Sequence, residues 1–212
     1  MIQAPEFREQ LKKALSGPLP GIEAHQKLAP YRKTPAEAIA LSGKNPRLSA
    51  TLTLLYPSDN QWNIILTKRH DYGGTHSAQV SFPGGKKEDG DIDLMQTAIR
   101  ETMEETGVEL HAEQVLGQLT EVYIPPSNFL VYPFLALVEE RPEFHPDPHE
   151  VHYLIEFPAL DLLNENIIRE TTVTTGGGLR MKVPYFDIRG EVVWGATAVI
   201  LSEFRELLKD IQ

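Results

Sequence analysis

Residues 100–107, Arg100-Glu101-Thr102-Met103-Glu104-Glu105-Thr106-Gly107, place three carboxylates and one arginine on a short stretch that ends at a glycine. Asp93 suits a helix N-cap, and Gln96 three residues on completes a capping-box pattern. Gly107 suits the residue just past a helix end, so the pattern predicts a helix over 94–106. At about 100° per residue, Met95, Ile99, Thr102, Met103 and Thr106 share one face, with Glu101, Glu104 and Glu105 opposite. Glu101 and Glu105 are like charges at i,i+4, which costs a few tenths of a kcal/mol, on the order of 0.3. The macrodipole also disfavours carboxylates near a helix C-terminus by about 0.3–1 kcal/mol each. Arg100 can pair with Glu104, but one guanidinium does not balance three carboxylates. Some further positive charge must offset them.

A Glu-rich helix face is most often simply solvated. Here the crowding at the C-terminus and the upstream Gly84-Gly85-Lys86, expected as a glycine turn, favour a bound cation instead. A hard divalent ion takes several oxygen ligands, and Mg²⁺ commonly binds through a few carboxylates plus substrate phosphates.

These residues resemble the Nudix hydrolase signature, in which a glycine and a glutamate precede R-E-U-x-E-E-x-G-U, U being bulky and apolar. Arg100-Glu101, Glu104-Glu105, Gly107 and Val108 match its second half. In the first half the position of the expected glutamate, eight residues before Arg100, is Ile92; the nearest acid is Asp91, so the loop is one residue longer. Thr102 stands where an aliphatic residue is usual. Upstream, Leu66-Thr67-Lys68-Arg69 and His76-Ser77-Ala78-Gln79-Val80-Ser81-Phe82-Pro83-Gly84-Gly85 are similar to the extra motif of the coenzyme A pyrophosphatase branch, with departures at His70, Gly74 and Ala78. Pro125-Pro126-Ser127-Asn128-Phe129, Pro148-His149-Glu150-Val151 and Val193-Trp194-Gly195-Ala196 also resemble that branch.

The resemblance implies an α+β fold: an α/β/α sandwich with a mixed sheet and the signature as a loop, helix and loop against it. It implies hydrolysis of a diphosphate with Mg²⁺ or Mn²⁺. The expected substrate is coenzyme A or a derivative, cleaved to 3′,5′-ADP and 4′-phosphopantetheine. The alternatives are another nucleoside diphosphate derivative (ADP-ribose, NADH, a dinucleoside polyphosphate) or a catalytically silent nucleotide-binding domain. Glu101 and Glu105 are the expected primary metal ligands, with Glu104 beside them and the Gly85 carbonyl as a further ligand. Arg100 is expected to orient Glu104. A general base is needed as well, either a signature glutamate or one on a later loop; Glu150 is the later-loop candidate and Glu121 its competitor. His76 and Gln79 are expected to contact substrate, and Lys68, Arg69, Lys86 and Lys87 to supply local positive charge for its phosphates.

The whole chain sets the frame. Its 212 residues suit one domain, 1–212, with residues 1–49 as a helix and a Pro/Gly-rich lead-in and 50–212 as the core. A net charge of −10 argues against general nucleic-acid binding and leaves a small phosphorylated substrate open. No cysteine is present, which excludes disulfides and thiolate chemistry and fits a reducing compartment. With no membrane-length apolar run and no leader-like N-terminus, a cytoplasmic location is expected. A homodimer is the expectation by family analogy alone. Along the chain, helices are expected at 5–16, near 35–41 and at 196–209. A hairpin is expected from 51–56 and 62–67 about a turn at Pro57-Ser58-Asp59-Asn60, with further strands at 79–82, 115–123, 130–138, 151–156, 173–175, 181–186 and 192–193. Residues 141–149 are expected as a polar loop.

Overall fold

The computed structural model describes residues 2–29, 32–70, 79–174, 178 and 180–211. The central hairpin joins β1 (Arg47–Ser58) to β2 (Gln61–Arg69) through Asp59 and Asn60, whose φ angles are 50° and 57°. Positive φ at both residues makes the primed turn whose twist matches the strands, and Asp and Asn tolerate it well. Pro57 and Ser58, expected in the turn, belong to β1.

The hairpin pairs only from Ser58↔Gln61 to Leu55↔Ile64. Beyond that the two strands part, and the next segment fills the gap. β3 (Val80–Ser81) pairs with β2, and β4 (Gly84–Lys86) pairs with β1 through Ala50↔Gly85. The glycine turn expected at 84–86 is therefore a strand, held inside the sheet. β7 (Phe129–Leu137) lies parallel to β1, and β8 (Val151–Pro158) runs antiparallel on the outer side of β2. β5 (Val115–Gln118) and β6 (Val122–Ile124) both pair with β7, giving a mixed sheet. β9 (Ile168–Thr174), β10 (Arg180–Ile188) and β11 (Glu191–Val193) form a separate antiparallel sheet.

Alternation along β1 and β2 divides the core. Leu52, Leu54, Tyr56 and Ile65 join Phe134 and Ala136 in the cluster that includes Ala98 of α4 (Leu94–Thr106). Leu55, Ile64 and Leu66 join Leu135 and Leu137 under α1 (Ala4–Ser16) and α5 (Gly195–Asp210), with Phe7, Leu11, Ile200 and Phe204 among the contacts. Helices thus cover both faces of the sheet, the α/β/α arrangement expected, because each strand buries both rows of side chains. Phe7 packs on Trp62 with ring centroids 5.2 Å apart, and the Trp62 indole N–H donates to the Ile2 carbonyl at 3.0 Å.

The lead-in holds two short helices. α3 (Pro35–Ser42) was expected; α2 (Gly21–Leu28) was not, because Pro18, Pro20 and Gly21 hide its start. A wholly buried carboxylate ties α2 to α5. Glu203 lies 3.0 Å from His25 Nε2 and accepts from the Gly21 N–H at 3.1 Å and the Thr120 hydroxyl at 2.7 Å. Removing one partner of such a network strands the others away from water. Glu203→Ala should therefore cost about 3 kcal/mol. Urea unfolding is the measurement; a loss below about 0.5 kcal/mol, the usual range for an inert surface change, would refute this role.

Candidate active site

α4 begins and ends where the sequence predicts, with Asp93 accepting from the Gln96 N–H at 2.8 Å and Gly107 in the left-handed region at φ 76°. The capping box is altered: the Gln96 side chain accepts from the Ile92 N–H at 2.6 Å, one residue earlier than the pattern implies. A side chain at Gly107 would collide with His145. The His145 N–H donates to the Thr106 carbonyl at 2.8 Å and Phe144 packs edge-on against Tyr56, so loop 141–149 is anchored against this end of the helix.

The buried face of α4 differs from the one expected. Thr97, Ala98, Thr102, Glu105 and Thr106 are buried, whereas Met103 is 41% exposed. The threonines are tolerated inside because their hydroxyls bond back along the helix, Thr102 to the Ala98 carbonyl at 2.7 Å and Thr106 to the Thr102 carbonyl at 2.6 Å. The surprise is Glu105, which points into the protein and is only 1% exposed.

Glu105 and Glu101 both meet the β3–β4 segment. Glu105 Oε2 accepts from the Gly84 N–H at 3.1 Å. The Glu101 carboxylate lies so close over Gly85 that a Cβ there would overlap it. The i,i+4 spacing that repels on an isolated helix here aims two carboxylates at a strip of backbone free of side chains. Burial is the largest cause pushing both carboxyls above the usual range, Glu105 to about 7. The Glu150 charge adds to both shifts. Glu150 itself is exposed, just before β8.

Arg100 does more than orient Glu104. Its Nη1 lies 2.9 Å from both Glu101 Oε1 and Glu104 Oε2, and its Nη2 donates to the Lys86 carbonyl at 3.1 Å. Its main partner is Asp91, with Nε to Oδ1 at 2.9 Å and Nη2 to Oδ2 at 3.0 Å. Asp91 is buried and also accepts from the Thr97 hydroxyl and the Glu88 N–H, each at 2.9 Å. Hydrogen bonds from Arg100 hold the Asp91 carboxyl far below the usual carboxylate range. Ile92, at the position of the missing acid, is 86% exposed. The extra loop residue is thus accommodated by turning Ile92 to solvent and Asp91 back onto the arginine.

The remaining candidates are distributed unevenly. Arg69, expected to contact substrate, lies against Glu105, with Nη1 3.3 Å from Oε1. Gln79 accepts at its carbonyl from the Arg69 N–H at 3.1 Å. Lys86 ends β4 with its side chain exposed, while the Lys87 ammonium donates to the Asp91 carbonyl at 2.7 Å and so braces the loop. The Lys68 ammonium is 2.6 Å from Glu191, which also accepts from the Tyr153 hydroxyl, so Lys68 belongs to a separate cluster. His76, Gly74 and Ala78 lie outside the described residues. Sequence reasoning missed Asp91 as the anchor of Arg100; its signal was an acid one residue out of register.

Among the described residues, no three Asp, Glu or His side chains are already gathered as a metal cage. The donor set nevertheless suits a hard divalent ion. Two carboxylates converge on a glycine strand, a third adds its negative charge, and burial penalises leaving them without a counter-charge.

The chain belongs to the Nudix family, whose NUDIX domain it matches over residues 46–173. It is a hydrolase of that family, acting on phosphoric anhydride bonds. It is similar to a Nudix hydrolase of Yersinia enterocolitica, NudL, 34% identical over 144 residues that make up 68% of this chain and 72% of that one. It is also similar to the human mitochondrial coenzyme A diphosphatase NUDT8, 38% identical over 137 residues, 64% of this chain and 58% of that protein. In fold it resembles a MutT/nudix family protein of Enterococcus faecalis, with a TM-score of 0.55 at 16% identity, covering 88% of this chain and 73% of the other.

Proposed function

We propose that this chain hydrolyses the diphosphate of coenzyme A or its derivatives, releasing 3′,5′-ADP and 4′-phosphopantetheine. The observation that carries the reaction type is the convergence of Glu101 and Glu105 on the Gly84–Gly85 strand within the field of Glu150. The likeness of Leu66–Arg69 and His76–Gly85 to the coenzyme A motif supports the substrate, as does the named activity of the human relative.

Glu101 and Glu105, with Glu104 and the Gly85 carbonyl, would hold Mg²⁺ or Mn²⁺. Bound there, the ion would neutralise diphosphate charge and lower the pKa of a water ligand. Arg100 keeps Glu101 and Glu104 in fixed positions through its four partners. Glu150, exposed and close enough for its charge to act on the two inner glutamates, is the base proposed to take a proton from the attacking water. Lys86 and Gln79 flank the same strand pair and serve the phosphates, with His76 as a further candidate. Residues 1–212 are read as one domain, a reading supported by the core that α1, α2 and α5 share with the sheet. The substrate is a small nucleotide derivative; the net charge of −10 weighs against nucleic acid. Among the described residues no helix is long and apolar enough to cross a membrane.

ADP-ribose, NADH or a dinucleoside polyphosphate is the second reading, favoured by the departures at Gly74 and Ala78. A panel of these compounds and coenzyme A, with Mg²⁺ or Mn²⁺ and chromatographic separation of products, tests both. Release of 3′,5′-ADP from coenzyme A should exceed turnover of every other compound. Preference for ADP-ribose would overturn the substrate assignment, and no cleavage of any compound would overturn the enzymatic one.

A further inference from the structure

Two arginines meet the carboxylates of the acidic helix, Arg100 from within α4 and Arg69 from the end of β2, and they are bonded very differently. Arg100 uses Nε, Nη1 and Nη2, all within 3.1 Å of oxygen partners. Among the described residues the Arg69 guanidinium has one polar contact, to Glu105 at 3.3 Å, longer than the roughly 2.7–2.9 Å of a strong charge-assisted bond. The Arg69 Nε is buried without a hydrogen-bond partner among the described residues. A buried donor left unpaired is costly, so this guanidinium does not occupy an arrangement made for it.

The carboxylate it meets has the opposite problem. Glu105 is only 1% exposed; its Oε2 accepts from the Gly84 N–H, and its Oε1 is met only loosely. Among the described residues, the only positive side chain touching it is Arg69. Arg69 ends β2 with its main chain fixed by the bond to the Gln79 carbonyl, and its side chain is 31% exposed. It can therefore leave Glu105 toward solvent by side-chain rotation alone.

We propose that Arg69 is a stand-in counter-ion: it occupies Glu105 Oε1 until a divalent cation arrives, and the cation displaces it. This rests on Glu105 being a metal ligand. A single positive charge loosely held by one nitrogen gives way to a doubly charged ion that takes oxygen ligands. Arg69 is in this scheme a positioning residue, holding the Glu105 side chain in its metal-free place and vacating it on loading.

The test uses the whole chain, with Mn²⁺ alone as the probe. Thermal midpoints are measured for wild type, Arg69→Gln and Arg69→Lys, each stripped with chelator and each saturated with Mn²⁺; Mn²⁺ affinity is read from the free-ion resonance signal. Arg69→Gln should lower the midpoint of the stripped protein by several degrees and leave the loaded protein close to wild type. By linkage it should also bind Mn²⁺ about five- to tenfold more tightly. Arg69→Lys, which keeps a charge, should fall between. Equal midpoint losses in the stripped and loaded forms, or weaker Mn²⁺ binding by Arg69→Gln, would overturn the exchange while leaving Glu105 a ligand. Undiminished Mn²⁺ binding by Glu105→Gln would remove the ligand itself and the exchange with it.

Discussion

Glu105→Gln should lower turnover by at least about three orders of magnitude, equivalent to about 4 kcal/mol of transition-state stabilisation, while leaving the fold intact. Glutamine keeps the shape and can still accept from the Gly84 N–H, but it cannot hold a hard cation as a carboxylate does. The stability effect has the opposite sign. Burial and the neighbouring Glu101 and Glu150 charges raise the folded carboxyl to about 7, above its unfolded value. Between an unfolded pKa near 4.3 and the folded value, the native state binds the extra proton, so stability of the metal-free protein falls as pH rises through this window. The loss is on the order of 2–3 kcal/mol, and the glutamine variant should not show it. Chelator-treated samples unfolded between pH 5 and pH 8 (roughly the span of that window) would reveal the difference. Near-normal turnover in Glu105→Gln would sink the ligand assignment, and parallel pH profiles for the two proteins would sink the electrostatic one.

The second large effect belongs to a residue expected to touch no substrate. Asp91→Ala removes the bidentate partner of Arg100 and strips the Thr97 hydroxyl and Glu88 N–H of an acceptor. Breaking a buried pair from one side typically costs about 3–5 kcal/mol. For a protein of this size that is roughly 6–12 °C in thermal midpoint. Turnover should fall as well, because Arg100 also fixes Glu101 and Glu104. Asp91→Asn keeps the shape and should lose less stability. A midpoint within about 2 °C of wild type for Asp91→Ala, less than 1 kcal/mol, would mean that Arg100 is held well enough by its other partners.

Much of this was legible because local chemistry and global position agree. Asp93 and Gly107 bracket α4, and the Asp59-Asn60 pair marks the hairpin, because caps and tight turns are decided by a few residues. The burial of Glu105 was not legible. A face was assigned by apolarity, yet the side of α4 that packs on β1 is made of small residues and threonines that satisfy themselves, leaving space for a carboxylate. The strand at Gly84–Lys86 was hidden for a related reason: glycine has low strand propensity, and only pairing with Ser49–Thr51 makes the segment extended. The partnership of Asp91 with Arg100 depends on loop geometry across nine positions, which no periodicity encodes.

That loop has a practical consequence. Asp91 and Arg100 fix its downstream anchor and Lys87 braces it from within, while the side chain of Ile92 rests on nothing. The Ile92 side chain is thus separate from the contacts that hold the glutamates. A spectroscopic label at residue 92 would therefore sit one peptide bond from the Asp91–Arg100 clamp without replacing any part of it, and would report on the acidic helix as ions come and go.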